Sequence, residues 1–405
     1  MALPSSCDVL VIGAGPAGST SAALLQQAGY SAVVVEKQKF PRFVIGESLL
    51  PHCMDLLDEA KLLDAVRARN FIVKRGALFL RGDERADFNF AEQFTKGWDH
   101  TWQVPRADFD KTLADAVEAR GVPIAYEHEV IAADFSGAPK VTIADARGKQ
   151  QTITSRFVID ASGYGRVLPR LLDLEVPSTL PPRKAVFTHL RGDKRDGGPE
   201  QNRIWIVTVA PGGWVWIIPF SDGTTSFGIV GGPEVFANLP TDHVECLRTL
   251  IASDKNFNRL RETEFIFEPR VIGGYSCSVK QLHGPGYCLV GNATEFLDPV
   301  FSSGVTLALE SANRASNTLI RQLRGEAVDW AVDYASYMAR GIDVFRTFVM
   351  AWYEGTLPKI IFQPRSSDSI RRMICSVLAG YVWDESNPFV AQHQRKVAQV
   401  ARLEA

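Results

Sequence analysis

The 405-residue chain has no CxxC pair and no cluster of cysteine and histidine at metal-ligand spacing; its six cysteines lie apart, at positions 7, 53, 246, 277, 288 and 375. That argues against a zinc module and against a disulfide framework, leaves no metal to assign, and makes reduced thiols in a cytoplasmic protein the expectation. No apolar run approaches bilayer-spanning length, and the first strand is not preceded by a basic segment, an apolar core or a cleavage site. The reading is a soluble chain without a membrane span. An excess of one charge is missing too, since 44 basic and 46 acidic residues leave a net charge of -2. Nothing suggests a nucleic-acid surface or a solvating acidic tail, which points to a small molecule or another protein as partner. There is also no internal repeat, low-complexity block or long linker, so any domains must be interleaved.

What is present begins at once. Cys7-Asp8-Val9-Leu10-Val11-Ile12 reads as a buried strand, Gly13-Ala14-Gly15-Pro16-Ala17-Gly18 as a glycine turn opening a helix, and Ala32-Val33-Val34-Val35-Glu36 as a second strand closed by an acid. This is a dinucleotide-binding fingerprint. Gly13 permits the tight turn, Gly15 lets backbone approach a pyrophosphate, Gly18 lets helix and strand pack closely, and Glu36 can accept from a ribose hydroxyl.

Two later segments repeat the strand-to-glycine theme: Phe157-Val158-Ile159-Asp160-Ala161-Ser162-Gly163 and Leu289-Val290-Gly291-Asn292, the latter followed by Phe296-Leu297-Asp298-Pro299 and Phe301-Ser302-Ser303-Gly304-Val305. Three such turns converging at one sheet edge suit a long bipartite cofactor, FAD. Between them, apolar spacing predicts helices over 54–69 and 107–120, and strands near 122–130, 139–145, 151–159, 203–209, 214–220 and 224–231. After Leu307 the texture turns helical and aromatic, with residues such as Trp330, Tyr353 and Trp383 expected mostly as core and a few as the wall of a pocket for a flat substrate.

The motifs carry a family resemblance. Gly212-Gly213-Trp214-Val215-Trp216-Ile217-Ile218-Pro219 resembles the tryptophan-x-tryptophan-x-isoleucine-proline signature of flavin-dependent halogenases, within the FAD-dependent monooxygenase and geranylgeranyl-reductase-like superfamily. Phe296, Pro299, Ser302 and Gly304 match a second signature beside the isoalloxazine. The loop Gly46-Glu47-Ser48-Leu49-Leu50-Pro51 and Lys74, in Val73-Lys74-Arg75-Gly76, are also similar to family features, and the resemblance covers roughly residues 5 to 325. It implies an α/β fold: a Rossmann-type FAD-binding domain over 1–75, 102–182 and 275–325, an interleaved β-sheet substrate domain over 76–101 and 183–274, and a helical C-terminal region over 326–405.

It also implies a chemistry. Reduced FAD and O2 oxidise a bound chloride or bromide, and hypohalous acid travels to an electron-rich aromatic under the direction of Lys74. Glu47, Trp214 and Trp216 are expected at the reaction site, and Ser302, Ser303 and Gly304 at the halide, because a turn before a helix supplies backbone donors. Ala17, Lys37, Arg42, Ser48, Arg106, Asp160, Gly163, Asn292, Asp298 and Pro299 are expected at the cofactor with the fingerprint residues. Asn292 departs from the family's usual aspartate, which alters the local charge. The chain lacks the larger C-terminal region of free-tryptophan halogenases, so a phenol or pyrrole, free or on an acyl carrier protein, is the expected substrate. With no second full fingerprint for NAD(P)H, a separate flavin reductase is the implied partner.

Local sequence alone leaves other readings open. Lys74 reads locally as a solvent-exposed lysine at a strand entrance, and Glu47 is open to reading as a helix-start carboxylate, Trp214 and Trp216 as plain core, and Arg42 and Arg106 as surface charges. His52, His100, His128 and His189 show no triad or ligand spacing. A monooxygenase or reductase without halide chemistry is the alternative function, and a catalytically silent flavin-binding partner a third.

Overall fold

The computed structural model describes residues 3–210, 212–363 and 367–403. Strand Ser6–Ile12 has Val9 and Val11 packed on one side and Leu10 and Ile12 on the other, all buried, which is why this run is apolar without alternation. It pairs in parallel with Ala32–Val35 and with Gln150–Asp160, and Tyr287–Leu289 joins the latter in parallel. The register sets Ile12 level with Val35 and Asp160, and Asp160 level with Leu289. All three glycine turns therefore leave the same edge. Helices Pro16–Gln27 and Ser303–Leu323 pack together over this sheet.

A second sheet runs in the order Glu264–Phe265, Lys184–Arg191, Thr225–Gly231, Gly213–Pro219, Ile204–Ala210, Gly76–Arg81, Glu84–Asn89, with Arg270–Gly273 also on Lys184–Arg191. Its central strand shows how pattern becomes packing. Trp214, Trp216 and Ile218 face the main core shared with the first sheet, while Val215 and Ile217 face helix His243–Ser253 on the other side. A short antiparallel ribbon, Ile72–Lys74 with Thr101–Gln103, carries Lys74 opposite Thr101, and Ser48 bridges to Gln103.

The α/β class expected from the sequence is the one observed, with helices Tyr337–Tyr353, Asp368–Leu378 and His393–Leu403 toward the C-terminus. One element differs. The helix expected over 54–69 is two helices, His52–Glu59 and Leu63–Arg67, because Lys61 adopts a left-handed backbone (φ 55°) that ends the first. All six cysteines are free thiols. Among the described residues no helix is long and apolar enough to cross a membrane, and no cluster of side chains could hold a metal.

Candidate active site

A cavity of about 540 Å³ opens where the three glycine turns meet the tryptophan strand. At its phosphate end Gly13 holds a left-handed φ of 95°, where a Cβ would lie 2.6 Å from the Ala161 carbonyl oxygen. Gly15 starts helix Pro16–Gln27 with no side-chain cap, so the first backbone N–H groups of the helix point at the turn unclaimed by a capping side chain. Gly18 is needed for packing rather than for ligand: a Cβ there would sit 1.8 Å from the Gly13 oxygen, and the residue is not in the cavity wall.

Cationic groups frame this end. Arg106 grips Asp110 with two bonds (Nε 2.8 Å, Nη2 3.1 Å) and donates to the carbonyls of Ile45 and Gly46, while Arg42 donates to the same carboxylate at 2.9 Å. Two guanidinium groups on one buried carboxylate leave a net positive charge beside the glycine turn, which suits a pyrophosphate. These arginines are not free surface charges. Glu36 lines the cavity and is 6% exposed; its two oxygens accept from the backbone N–H of Ala14 and Gln38, both at 2.9 Å. Ala17, Lys37, Gly163 and Asn292 lie in the same wall.

The far end is aromatic and apolar. Trp214 and Trp216 line it with ring centroids 6.0 Å apart, together with Ile218, Tyr275 and Phe296. The indole N–H of Trp216 donates to Ser226 Oγ, and that of Trp214 donates to Tyr353 Oη, both at 2.9 Å. Tyr353 in turn donates to Asp298 Oδ2 at 2.9 Å, with the Arg183 guanidinium 3.3 Å from the Tyr353 ring centroid. Asp298 lies behind the wall, not in it: it caps the turn at Val300, and burial lifts its carboxyl to about 6. Asp160 is likewise fully buried behind the wall, where it accepts from the N–H groups of Ser162 and Leu168, and burial raises its pKa. Each carboxylate accepts from the turn that follows it, and neither lines the cavity. Pro299, Ser302 and Gly304 do line the cavity, at the start of helix Ser303–Leu323, whereas Ser303 is buried beside them.

Glu47 and Ser48 form another wall. Glu47 is 1% exposed and does not begin a helix; its Oε1 lies 2.7 Å from His189 Nε2, bringing a strand of the second sheet onto the loop. Lys74 is 1% exposed, which removes the surface reading, yet it is not in the cavity wall. Its ammonium donates to the Leu49 carbonyl at 2.7 Å, just behind the Glu47–Ser48 wall, and sits 5.6 Å from the Phe90 ring centroid. Among the described residues no carboxylate pairs with it. Burial pushes its pKa from 10.5 down to about 7.

Sequence reading missed Asp110, His189, Arg183 and Tyr353 as parts of this site. Only Asp110 left a local signal, the i,i+4 spacing from Arg106 on helix Arg106–Glu118. None of the C-terminal aromatics lines the cavity; Tyr353 reaches it through Trp214.

A bipartite cavity with a cationic glycine end and an aromatic end defines a flavin dinucleotide-binding oxidoreductase, and an FAD binding domain model matches residues 6–350. Tryptophan 2-halogenase of Chondromyces crocatus is 33% identical over 82% of this chain; the chain spans only 64% of that protein's length. A flavin-dependent halogenase of Armillaria mellea is 30% identical, over 81% of this chain and 70% of its own. The 1H-pyrrole-2-carbonyl peptidyl-carrier-protein chlorinase of Pseudomonas fluorescens is 27% identical over 96% of this chain and 92% of its own. Among solved structures, a flavoprotein/dehydrogenase of Cytophaga hutchinsonii matches with TM-score 0.96 and 50% identity over 98% of both chains. The myxobacterial chondrochloren halogenase matches with TM-score 0.79 and 28% identity over 99% of this chain and 97% of that one. The chain belongs to the flavin-dependent halogenase family, whose members are enzymes that use FADH2, O2 and halide.

Proposed function

We propose that this protein places chloride or bromide on an electron-rich aromatic of phenol or pyrrole type, with Lys74 directing the oxidised halogen. The observation that carries the reading is Lys74 itself: a fully buried amine without a carboxylate partner among the described residues, one peptide segment away from the flavin cavity. A structural lysine would be paired or exposed. Reduced FAD, when bound, supplies the activation of O2 that oxidises the halide. The chain's own residues do the rest: Arg42, Arg106 and the turn at Gly15 hold the pyrophosphate, Glu36 the ribose, and Ser302 to Gly304 offer backbone donors to the halide. Trp214 and Trp216 wall the flavin from the aromatic substrate.

The pyrrole-carrier relative, matched almost end to end, supports a substrate tethered to an acyl carrier protein. A separate flavin reductase supplies the reduced cofactor in this reading, and free thiols fit a cytoplasmic setting. In this reading the FAD-binding domain, the substrate domain and the helical C-terminal region have the boundaries given above, a division that the two separate sheets support. Two observations favour a second reading. The 50% identical flavoprotein/dehydrogenase and the neutral Asn292 support an FAD-dependent monooxygenase or reductase without halide chemistry.

The test is turnover of purified protein with FAD, a generic flavin reductase, NADH and O2. Phenols, pyrroles and indoles, free and carrier-tethered, are supplied with chloride or bromide and products are read by mass spectrometry. A product bearing the halogen isotope pattern supports the first reading. An oxygenated or reduced product at any halide concentration supports the second.

A further inference from the structure

Behind the tryptophan wall, rings and hydrogen bonds form a line that starts in the cavity and ends near the protein surface. Trp216 and Trp214 line the cavity with ring centroids 6.0 Å apart. Trp214 Nε1 donates to Tyr353 Oη at 2.9 Å, and Tyr353 Oη donates to Asp298 Oδ2 at 2.9 Å. Tyr353 is half-buried at the end of helix Tyr337–Tyr353, where Met350, one turn before it, is exposed. Tryptophan and tyrosine give up a single electron far more readily than phenylalanine, and here each such ring meets the next.

The charges around Tyr353 decide what its oxidation yields. The Arg183 guanidinium, 3.3 Å from the ring centroid, opposes any positive charge on the ring. Burial, with the charge of Asp298 beside it, raises the phenol's pKa well above its ordinary value, so the resting side chain is neutral. An electron therefore leaves Tyr353 together with its proton, and the hydrogen-bonded carboxylate is placed to take that proton. Asp298 is faced by Arg183 at 4.0 Å, by the Tyr353 and Tyr275 phenols and by the Val300 N–H; burial lifts its carboxyl to about 6, which leaves it ionised at neutral pH.

From this arrangement we infer that Trp216, Trp214 and Tyr353 form an electron relay that carries one-electron oxidation from the flavin cavity toward the protein surface, with Asp298 as proton acceptor. The oxidant is the photoexcited flavin of bound FAD. Trp214 gives it one electron and Tyr353 returns one electron to Trp214, while the Tyr353 O–H bond breaks and its proton bonds to Asp298 Oδ2. The products are a neutral tyrosyl radical, a carboxylic acid and a regenerated tryptophan; an external thiolate then restores the electron, and Asp298 returns the proton. The relay rests on FAD binding and is independent of the halide reading.

The test is flash photolysis of the protein loaded with oxidised FAD. In the wild type a tyrosyl absorption is expected to follow the tryptophan radical signal. In Tyr353→Phe the tyrosyl signal should be lost and the tryptophan signal persist, and steady blue light should leave oxygen adducts on Trp214 that the wild type does not gather. A second check needs no variant: the wild-type tyrosyl yield should fall as the pH drops through about 6, where Asp298 gains a proton of its own. A yield flat across that range, no tyrosyl signal in the wild type, or an undiminished one in Tyr353→Phe, which would assign it to Tyr275, would overturn the relay. Absence of halogenation by the wild type would defeat the halogenase reading and change none of these signals.

Discussion

Replacing Lys74 by methionine, a side chain of similar length without charge, should abolish function while relieving the fold of a buried cation. The folded lysine titrates near 7, whereas an unfolded one titrates at 10.5. Below pH 7 both states are protonated and the full penalty applies. Between 7 and 10.5 the unfolded chain holds more protons than the folded one, so wild-type stability rises with pH through this group. The lysine then costs about 4 kcal/mol at pH 7 and about 2 kcal/mol at pH 9. Against this gain Lys74→Met leaves the Leu49 carbonyl without its donor, a pH-independent loss of about 1–3 kcal/mol. The quantity to measure is therefore the difference between variant and wild type in denaturant unfolding, followed across this pH range. It should move by about 2 kcal/mol in favour of the wild type from pH 7 to pH 9. A difference flat with pH would refute the claim that Lys74 is held as a destabilised amine.

The remaining expected outcomes follow from geometry. Gly18→Ala, whose Cβ would collide with the Gly13 backbone, should unfold the protein or lower its stability by more than about 3 kcal/mol; Gly15→Ala, whose Cβ would meet the end of Arg42 at 3.4 Å and Asp110 Oδ2 at 4.0 Å, both side-chain ends at ordinary contact distance, should fold normally and lose FAD binding, as read by melting and flavin titration. Arg106→Lys gives up the two-point grip on Asp110 and the bonds to Ile45 and Gly46; FAD affinity should fall about tenfold or more, equivalent to at least about 1.4 kcal/mol, by flavin titration. Tyr353→Phe keeps the ring against Arg183 but strands the Trp214 N–H and takes one donor from Asp298 Oδ2, which keeps the Arg183 guanidinium at 4.0 Å, and should cost about 1–3 kcal/mol in denaturant unfolding.

The parts legible in the sequence are those whose physics is local. A glycine turn, its strand and its closing acid are contiguous, and the period of two in Trp214, Val215 and Trp216 already says that the tryptophans share a face. In Gln150–Asp160 the buried parallel end reads as the apolar run Phe157-Val158-Ile159 and the antiparallel beginning as an alternation, and together they located the strand almost to the residue. What was illegible depends on contacts across the chain. The Glu47–His189 pair joins residues 142 apart, and the Trp214–Tyr353–Asp298 chain links three separate segments. The burial of Lys74 follows from a ribbon of two three-residue strands, too short to show a period. Asp160 and Asp298 looked like ligand groups because each ends or follows a strand near a glycine turn; in the fold the Asp160 carboxylate is taken up by the N–H groups of Ser162 and Leu168, and that of Asp298 by the Val300 N–H and the Tyr353 hydroxyl. The break at Lys61 was hidden because the apolar spacing continues through it.

The most direct test of the central claim is Lys74→Ala assayed with FAD, flavin reductase, NADH, O2 and halide on a substrate that the wild type halogenates. The account requires FAD to bind and O2 to be consumed as in the wild type while halogenated product disappears; halogenation at the wild-type rate would contradict it.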